Sequence, residues 1–318
     1  MFRTAVLAGF LAFVSTHFAW AEITVSVTEK AAVVEVDGQL FTKYVTGYGE
    51  DEIRETPILW PIIGPTGKEM TRSYPMATGN PSEREDHPHH RSLWFTHGDV
   101  DGLSFWHREQ IKHVRFVEAK SGDVGVLVTE NEWVDREGQV RCRDQRTLTF
   151  GATKDARWID FDIVLKAGHG PVKFGDTKEG TFGVRVAGTM KIDAVKNDPA
   201  WGGHVVNSEG QRDGDAWGKR AAWVDYHGPV EGETLGLAIL NHPDSFRFPT
   251  YWHVRTYGLF AANPFGVHDF ERDKSLDGSH TLATGESMKL HYRVLLHKGD
   301  EKTGHVAEMF SDYAAENR

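Results

Sequence analysis

Residues 113–119, 124–134, 139–150 and 157–165 read HVRFVEA, VGVLVTENEWV, QVRCRDQRTLTF and RWIDFDIVL. Each segment alternates apolar with polar or small residues. Val124, Val126 and Val128 mark one face of the second, and Ile159, Phe161 and Ile163 one face of the fourth. A period of two is that of a strand, whose successive side chains point to opposite sides. The interruptions are turn formers: Ser121-Gly122-Asp123, Arg136-Glu137-Gly138 and residues 151–155. Four strands joined so closely pair in order, as a half-buried antiparallel meander within residues 111–166.

Outward from the meander the same period recurs. Upstream, Ile23, Val25 and Val27 share a face, Val34 and Val36 belong to the next strand, and Asp37-Gly38 is a hairpin signal before residues 40–45. A short apolar strand covers residues 57–63. Downstream, strands are expected over residues 181–190, 221–226, 234–240, 253–259 and 287–297. Only the tail is helical in pattern, with Val306, Met309, Phe310 and Tyr313 at spacings of three and four. So many strands need two packed sheets to bury their faces. The expectation is an all-β, two-sheet antiparallel β-sandwich with a short C-terminal helix, forming one domain over residues 22–318.

Residues 1–21 have the form of a secretory signal: Arg3, an apolar run from Ala5 to Val14, then Ala19-Trp20-Ala21 as a cleavage site. The mature protein is then expected to begin at Glu22 and to be periplasmic or secreted. The 318 residues hold 36 basic and 46 acidic side chains, and losing Arg3 takes the net charge from −10 to −11. An acidic surface argues against nucleic acid and anionic lipid as partners. No later apolar stretch is long enough to span a bilayer, so membrane insertion is not expected. The single cysteine, Cys142, has no partner for an internal disulfide and reads as a core thiol.

Chemistry concentrates in residues 86–106, DHPHHRSLWFTHGDVDGLSFW. His87, His89, His90 and His97 lie within one short stretch, with Arg91 and Trp94 between them. Pro88 biases His87 toward an extended conformation, which would point His87 and His89 into one cavity and His90 away. The preceding residues 73–91 lose all period and form a long polar loop, of the kind that carries function. Four further segments hold more polar and aromatic residues than packing requires: 173–185 with Asp176, Lys178, Glu179 and Arg185; 201–207 with His204; 241–255 with His242, Asp244, Arg247, Tyr251, Trp252, His253 and Arg255; and 263–266, NPFG, a turn by composition. These are expected at the loop end of the sandwich.

Flat rings stack on the apolar face of a sugar, and charged side chains fork to its hydroxyls. A carboxylate and an imidazole can then act as acid and base. On this basis His87, His89, His90, Glu179, His242 and His253 are the expected catalytic residues. Arg91, Trp94, His97, Asp176, Arg185, His204, Tyr251, Trp252 and Arg255 are the expected ligand contacts, and the ligand is a carbohydrate or sugar-derived small molecule. Glu179 is preferred as the carboxylate because its glycine-flanked setting lets backbone approach a ligand. Alternatives are a metal-dependent oxygenase or lyase built on the histidines, and a carbohydrate-binding module without catalysis. A divalent metal is not favoured, because only one local His-x-His pair exists and the remaining ligands lie on distant segments.

In order along the chain, DHPHHRSLWF, KEGTFGVRV, WGKRAAWVDYHG, PTYWHVRTYGLFAANPFG and YRVLLHKG resemble an exported bacterial family. That family is labelled "methane oxygenase PmoA", or a domain of unknown function. The resemblance runs from about Ile23 to His297. It implies loops on a two-sheet sandwich similar to the galactose-mutarotase supersandwich, a fold common among sugar-acting enzymes.

Overall fold

The computed structural model describes residues 21–47, 55–168, 170–193 and 201–318. The expected signal, apart from Ala21, lies outside the described residues. In chain order the strands are β1 Ile23–Val27, β2 Ala31–Val36, β3 Gln39–Val45, β4 Ile58–Ile62, β5 Leu93–His97, β6 Gln110–Lys120, β7 Gly125–Val134, β8 Val140–Ala152 and β9 Ala156–Lys166. There follow β10 Val172–Phe174, β11 Gly180–Arg185, β12 His204–Asn207, β13 Trp223–Val230, β14 Glu233–Asn241, β15 Tyr251–Val254, β16 Leu259–Asn263, β17 His280–Leu282 and β18 Ser287–Lys298. They build two eight-stranded antiparallel sheets. The first has the order β1-β2-β3-β4-β5-β11-β16-β15 and the second β12-β13-β14-β18-β9-β8-β7-β6, while β10 and β17 form a separate pair. The fold is the all-β, two-sheet sandwich that the alternation predicts.

The meander pairs in sequence order, β6 with β7, β7 with β8 and β8 with β9. Its inner face is not the one the valines suggest. Leu127, Trp133, Cys142, Leu148, Phe150, Ile159, Phe161 and Ile163 form the core, whereas Val124 stays 45% exposed. Val124 and Val126 lie in register with the outward side, and the bulkier Leu127 and Trp133 win the interior because they bury more apolar area. From the first sheet, Phe41, Leu93, Phe95, Phe182, Val184, Trp252, Val254 and Phe260 meet them in one continuous core.

Two expected strands end differently. Over residues 253–259 the chain makes a hairpin, β15–β16, closed by the Gly258 N–H donating to the Arg255 carbonyl at 3.0 Å. Gly258 takes φ +100°, which an L side chain rarely adopts. The strand expected over 181–190 stops at Arg185, and Gly188–Met190 is a 3-10 turn. β5, hidden in the histidine-rich stretch, was not separable from its surroundings by periodicity. The tail forms α2 Val306–Ala314 after a short α1, Val267–Phe270. Val306 and Tyr313 of α2 pack on Ala238, Leu240 and Leu295, a cluster apart from the main core. Among the described residues no helix is long and apolar enough to cross a membrane.

Candidate functional site

Along β5, Leu93 and Phe95 enter the main core, so Trp94 faces the other way. The same alternation turns Gly183 and Arg185 outward on β11, Leu259 and Ala261 on β16, and His253 on β15. Trp94, Trp106, Leu259 and Ala261 make a second apolar cluster on this outer face. Gly183 is required there: a Cβ on it would come within 2.7 Å of the Trp94 indole. The loops that sequence reasoning marked close over this outer face of the first sheet: among the residues lining the cavity there, His253 is on a strand, and the others come from the loops before β5, β6 and β11 and from the β15–β16 turn.

A cavity of about 240 Å³ opens over this face, lined by His87, His89, His90, His107, Lys178, Glu179, His253, Arg255 and Tyr257. Its wall is a stack of four rings. Tyr257 lies 5.6 Å from His87, His87 4.9 Å from His90 and His90 5.5 Å from Trp94, all with interplanar angles of 16° or less. His89 stands edge-on to this stack, 4.4 Å from His90 and 4.6 Å from His107.

His87 is not extended. It sits at φ +47°, and the His90 N–H donates to its carbonyl at 2.9 Å, closing a turn with Pro88 second. Proline's fixed φ suits that position of a turn. The turn swings His90 onto the same side as His87, correcting the expectation that it points away.

Arg72, 1% exposed, holds this turn. Its guanidinium donates to the carbonyls of Arg84, Asp86, His87 and His90 at 2.9–3.1 Å and to the Asp86 carboxylate at 2.9 Å. The long loop is thereby fixed by one buried fork.

The electrostatics assign tautomers. The Arg185 guanidinium, which can only donate, points at His90 Nδ1 from 3.1 Å, so His90 carries its proton on Nε2. Burial, then neighbouring His89 and Arg185, hold His90 well below the ordinary imidazole value. His253 is the complement. Its Nδ1 lies 2.8 Å from the Lys178 carbonyl and donates to it, which leaves the Nε2 lone pair free of a proton. Burial brings His253 down to about 4, against the opposing pull of Glu179.

For Glu179, burial resists ionisation, but Lys178, His253 and His107 outweigh it and lower its pKa. Lys178 and Glu179 form an ion pair at the cavity wall. At neutral pH the pocket thus offers an ionised carboxylate and a neutral imidazole lone pair, beside imidazole and ammonium N–H donors.

Of the expected catalytic residues, His87, His89, His90, Glu179 and His253 come together here, with Arg255 and, behind them, Arg185 and Trp94. Arg91 folds back onto the turn, its Nε donating to the Pro88 carbonyl at 3.3 Å. The rest lie elsewhere. His242 is 1% exposed beneath Tyr313, its Nε2 3.0 Å from the Glu316 carbonyl. His97 is buried, with Nε2 donating to the Gly175 carbonyl at 2.9 Å. Gly180 makes room for that ring, since a Cβ would meet His97 Nδ1 at 2.5 Å. The glycine beside Glu179 therefore serves a buried histidine rather than a ligand. His204 faces Asp213 at 3.5 Å. Asp176 accepts from the His268 backbone N–H and faces its ring at 3.0 Å, joining two loops. Tyr251 donates to Glu271, and Trp252 is core, with its indole N–H on the Ala221 carbonyl.

His107, Tyr257 and Arg72 were not among the expected residues, and Lys178 was named in its segment without a role. His107 follows Trp106 directly at the end of the histidine stretch, so adjacency alone could have found it. Tyr257 and Arg72 carry no local signal.

A family model described as a family of unknown function, DUF6807, matches residues 31–311. The chain belongs to that family. No curated protein matches it. Among solved structures it is similar to a galactose mutarotase-like protein from Clostridium acetobutylicum, at 8% identity and TM-score 0.39 over 87% of this chain and 98% of that one. It is similar also to a galactose mutarotase-like protein from Lactobacillus casei, at 12% identity and TM-score 0.32 over 86% and 100%. A third is a glycoside hydrolase family 36 α-galactosidase from Geobacillus stearothermophilus, at 12% identity and TM-score 0.38. There the match covers 87% of this chain and 40% of the other.

Proposed function

We propose that this protein is exported and acts on a carbohydrate in the cavity over the first sheet, with Glu179 and His253 as its proton-transferring pair. The carrying observation is the tautomer of His253: its Nδ1–H is fixed on the Lys178 carbonyl, so the unprotonated Nε2 is held ready beside an ionised Glu179. A neutral base next to a carboxylate suits proton transfer at a sugar carbon or hydroxyl. Tyr257 lines the cavity with His87 stacked on its ring at 5.6 Å and the Arg185 guanidinium over it at 4.7 Å, and it supports an apolar contact with the sugar ring. The label "methane oxygenase" on similar proteins has no part in it.

The test is a saccharide turnover screen of the full chain against Glu179→Gln. Turnover that falls by about 10²–10⁴-fold in the variant supports the pair; equal turnover refutes it. N-terminal sequencing of exported material checks the leader, with Glu22 as the expected first residue.

The same His253 geometry favours a second reading. A ligating histidine usually donates its other ring N–H to a carbonyl, as His253 does. Among the described residues, however, the trio whose ligand atoms gather within 4.8 Å is Asp225, His227 and Glu301, not a set from the pocket. Metal binding here needs the imidazoles to shift inward. Elemental analysis of protein purified without added metal decides between the two.

A further inference from the structure

The chain as a whole is acidic, with 46 carboxylates against 36 basic side chains. The pocket is the reverse. The charged groups that line it or touch its lining residues are Arg72, Arg185, Lys178 and Arg255 against Asp86, Glu179 and Asp269, the last held by the Lys178 backbone N–H and Lys274. Asp86 serves two buried guanidinium groups at once, Arg72 at 2.9 Å and Arg185 at 3.4 Å. Lys178 is matched by Glu179.

Arg255 is different. Among the described residues it has no carboxylate partner, and its guanidinium rests 6.0 Å from the Trp217 ring and 5.8 Å from the Tyr257 ring. An exposed arginine is ordinarily a solvated surface charge. This one is steadied on two aromatic faces, and one of them is the outermost ring of the cavity's stack. Stacking leaves the N–H edge of the fork open to a planar anion.

The surroundings register the same excess of positive charge. Burial and then Arg72 bring Arg185 down to about 10, and burial followed by Arg185 and Arg84 brings the nearby Lys191 down to about 8. A neutral ligand would leave this excess uncompensated in a partly desolvated cleft. An anion completes it.

We propose that the ligand is an acidic saccharide, a sugar bearing a carboxylate or a sulfate ester, with its anionic group on Arg255 and its ring against Tyr257. This deepens the carbohydrate reading above and rests on it. Both anionic groups present the oxygens that a guanidinium fork recognises.

Calorimetric titration of the full chain with matched probes tests it: oligosaccharides of galacturonate and glucuronate, their neutral galactose and glucose twins, and sulfated forms of those twins. The acidic member of a pair is expected to bind at least about tenfold tighter, equal to about 1.4 kcal/mol. That preference should shrink as salt is raised. Arg255→Ala should remove most of it while weakening the neutral twin far less, and Arg255→Lys, which keeps the charge but not the fork, should restore part. Which acidic set binds identifies the group as carboxylate or sulfate. Neutral and acidic twins binding equally, or a preference that survives Arg255→Ala, overturns the inference and leaves the carbohydrate reading standing. Failure of every saccharide to bind overturns both.

Discussion

Around the pocket, His90 and His253 sit among guanidinium groups and a backbone carbonyl, and both are held neutral. On the second sheet, His227 and His297 sit around one buried carboxylate. Asp225 accepts from His227 Nδ1 at 2.6 Å and from His297 Nε2 at 2.7 Å, and it is wholly buried. His297 also directs Nδ1 at the Lys298 carbonyl, 3.1 Å away, so both of its ring nitrogens face acceptors and the ring is an imidazolium. Burial opposes that charge on both histidines, but Asp225 outweighs it and raises their pKa values.

The same side chain therefore serves two ends. Hydrogen-bonded to the buried Asp225 carboxylate, it becomes half of an ion pair that joins β13 to β18. Hydrogen-bonded to a guanidinium or a backbone carbonyl, as His90 and His253 are, it keeps a lone pair or N–H for something outside the protein. The two regions are told apart by which partner is buried with the ring, not by how many rings gather.

Asp225→Asn should break the contrast most. It leaves the imidazolium of His297 buried without its counter-charge, a loss on the order of 3–5 kcal/mol. A urea unfolding series would show it; a loss under about 1 kcal/mol would mean the pair is not structural. His253→Ala sharpens the contrast from the other side. Turnover should fall at least about 10²-fold, while stability drops only by about the 1 kcal/mol of one hydrogen bond. If His253→Ala unfolds the protein as Asp225→Asn does, the two histidine regions are alike after all.

Gly183→Ala has a smaller, mixed effect. The new Cβ must push Trp94 from under His90, costing about 1–3 kcal/mol by overpacking and weakening ligand binding with it. Binding unchanged in a destabilised Gly183→Ala protein would remove the ring stack from the site.

The pH dependence of stability separates the regions most gently. His253 and His97, each brought down to about 4 from 6.5 chiefly by burial, contribute stability that is present above about 6.5. It is lost as pH falls from there toward 4, because the unfolded chain takes up protons first. His227 and His297, whose pKa values are raised, contribute stability that is present below about 6.5 and lost as pH rises through their folded values. Unfolding midpoints measured across pH 4–9 (an acid and an alkaline limb) should therefore show His253→Ala flattening the acid limb and Asp225→Asn the alkaline one. The reverse assignment would contradict a neutral His253 and a charged His297.

Most of the candidate pocket was visible as a local excess of histidine in residues 86–107 and as the Lys178-Glu179 and His253-x-Arg255 pairs. What composition could not resolve was the face. Trp94 and His253 differ from Leu93, Phe95, Trp252 and Val254 only by one step along a strand, yet that step sends them to the outer surface. His97, two steps beyond Phe95, fell to a buried position against Phe265 at 4.8 Å despite belonging to the same cluster. Tyr257 was hidden because alternation ran β15 and β16 together across their turn.

By itself the sequence determined that the chain is all-β in two sheets, with a meander at its centre and a C-terminal helix. Period-two alternation and turn residues are local signals, and each strand declares itself without reference to the others. Only the tertiary structure decided that β5, β11, β16 and β15 lie side by side, that Arg72 ties the long loop over them, and that Asp225 rather than the pocket captures His297. Arg72 reaches 12 to 18 positions along the chain, and the other outcomes depend on contacts such as His97 with Gly175, Arg185 with Asp86 and His297 with Asp225, 72 to 99 positions apart. Strand order, charge partners and burial are properties of the packed chain, and no window along it contains them.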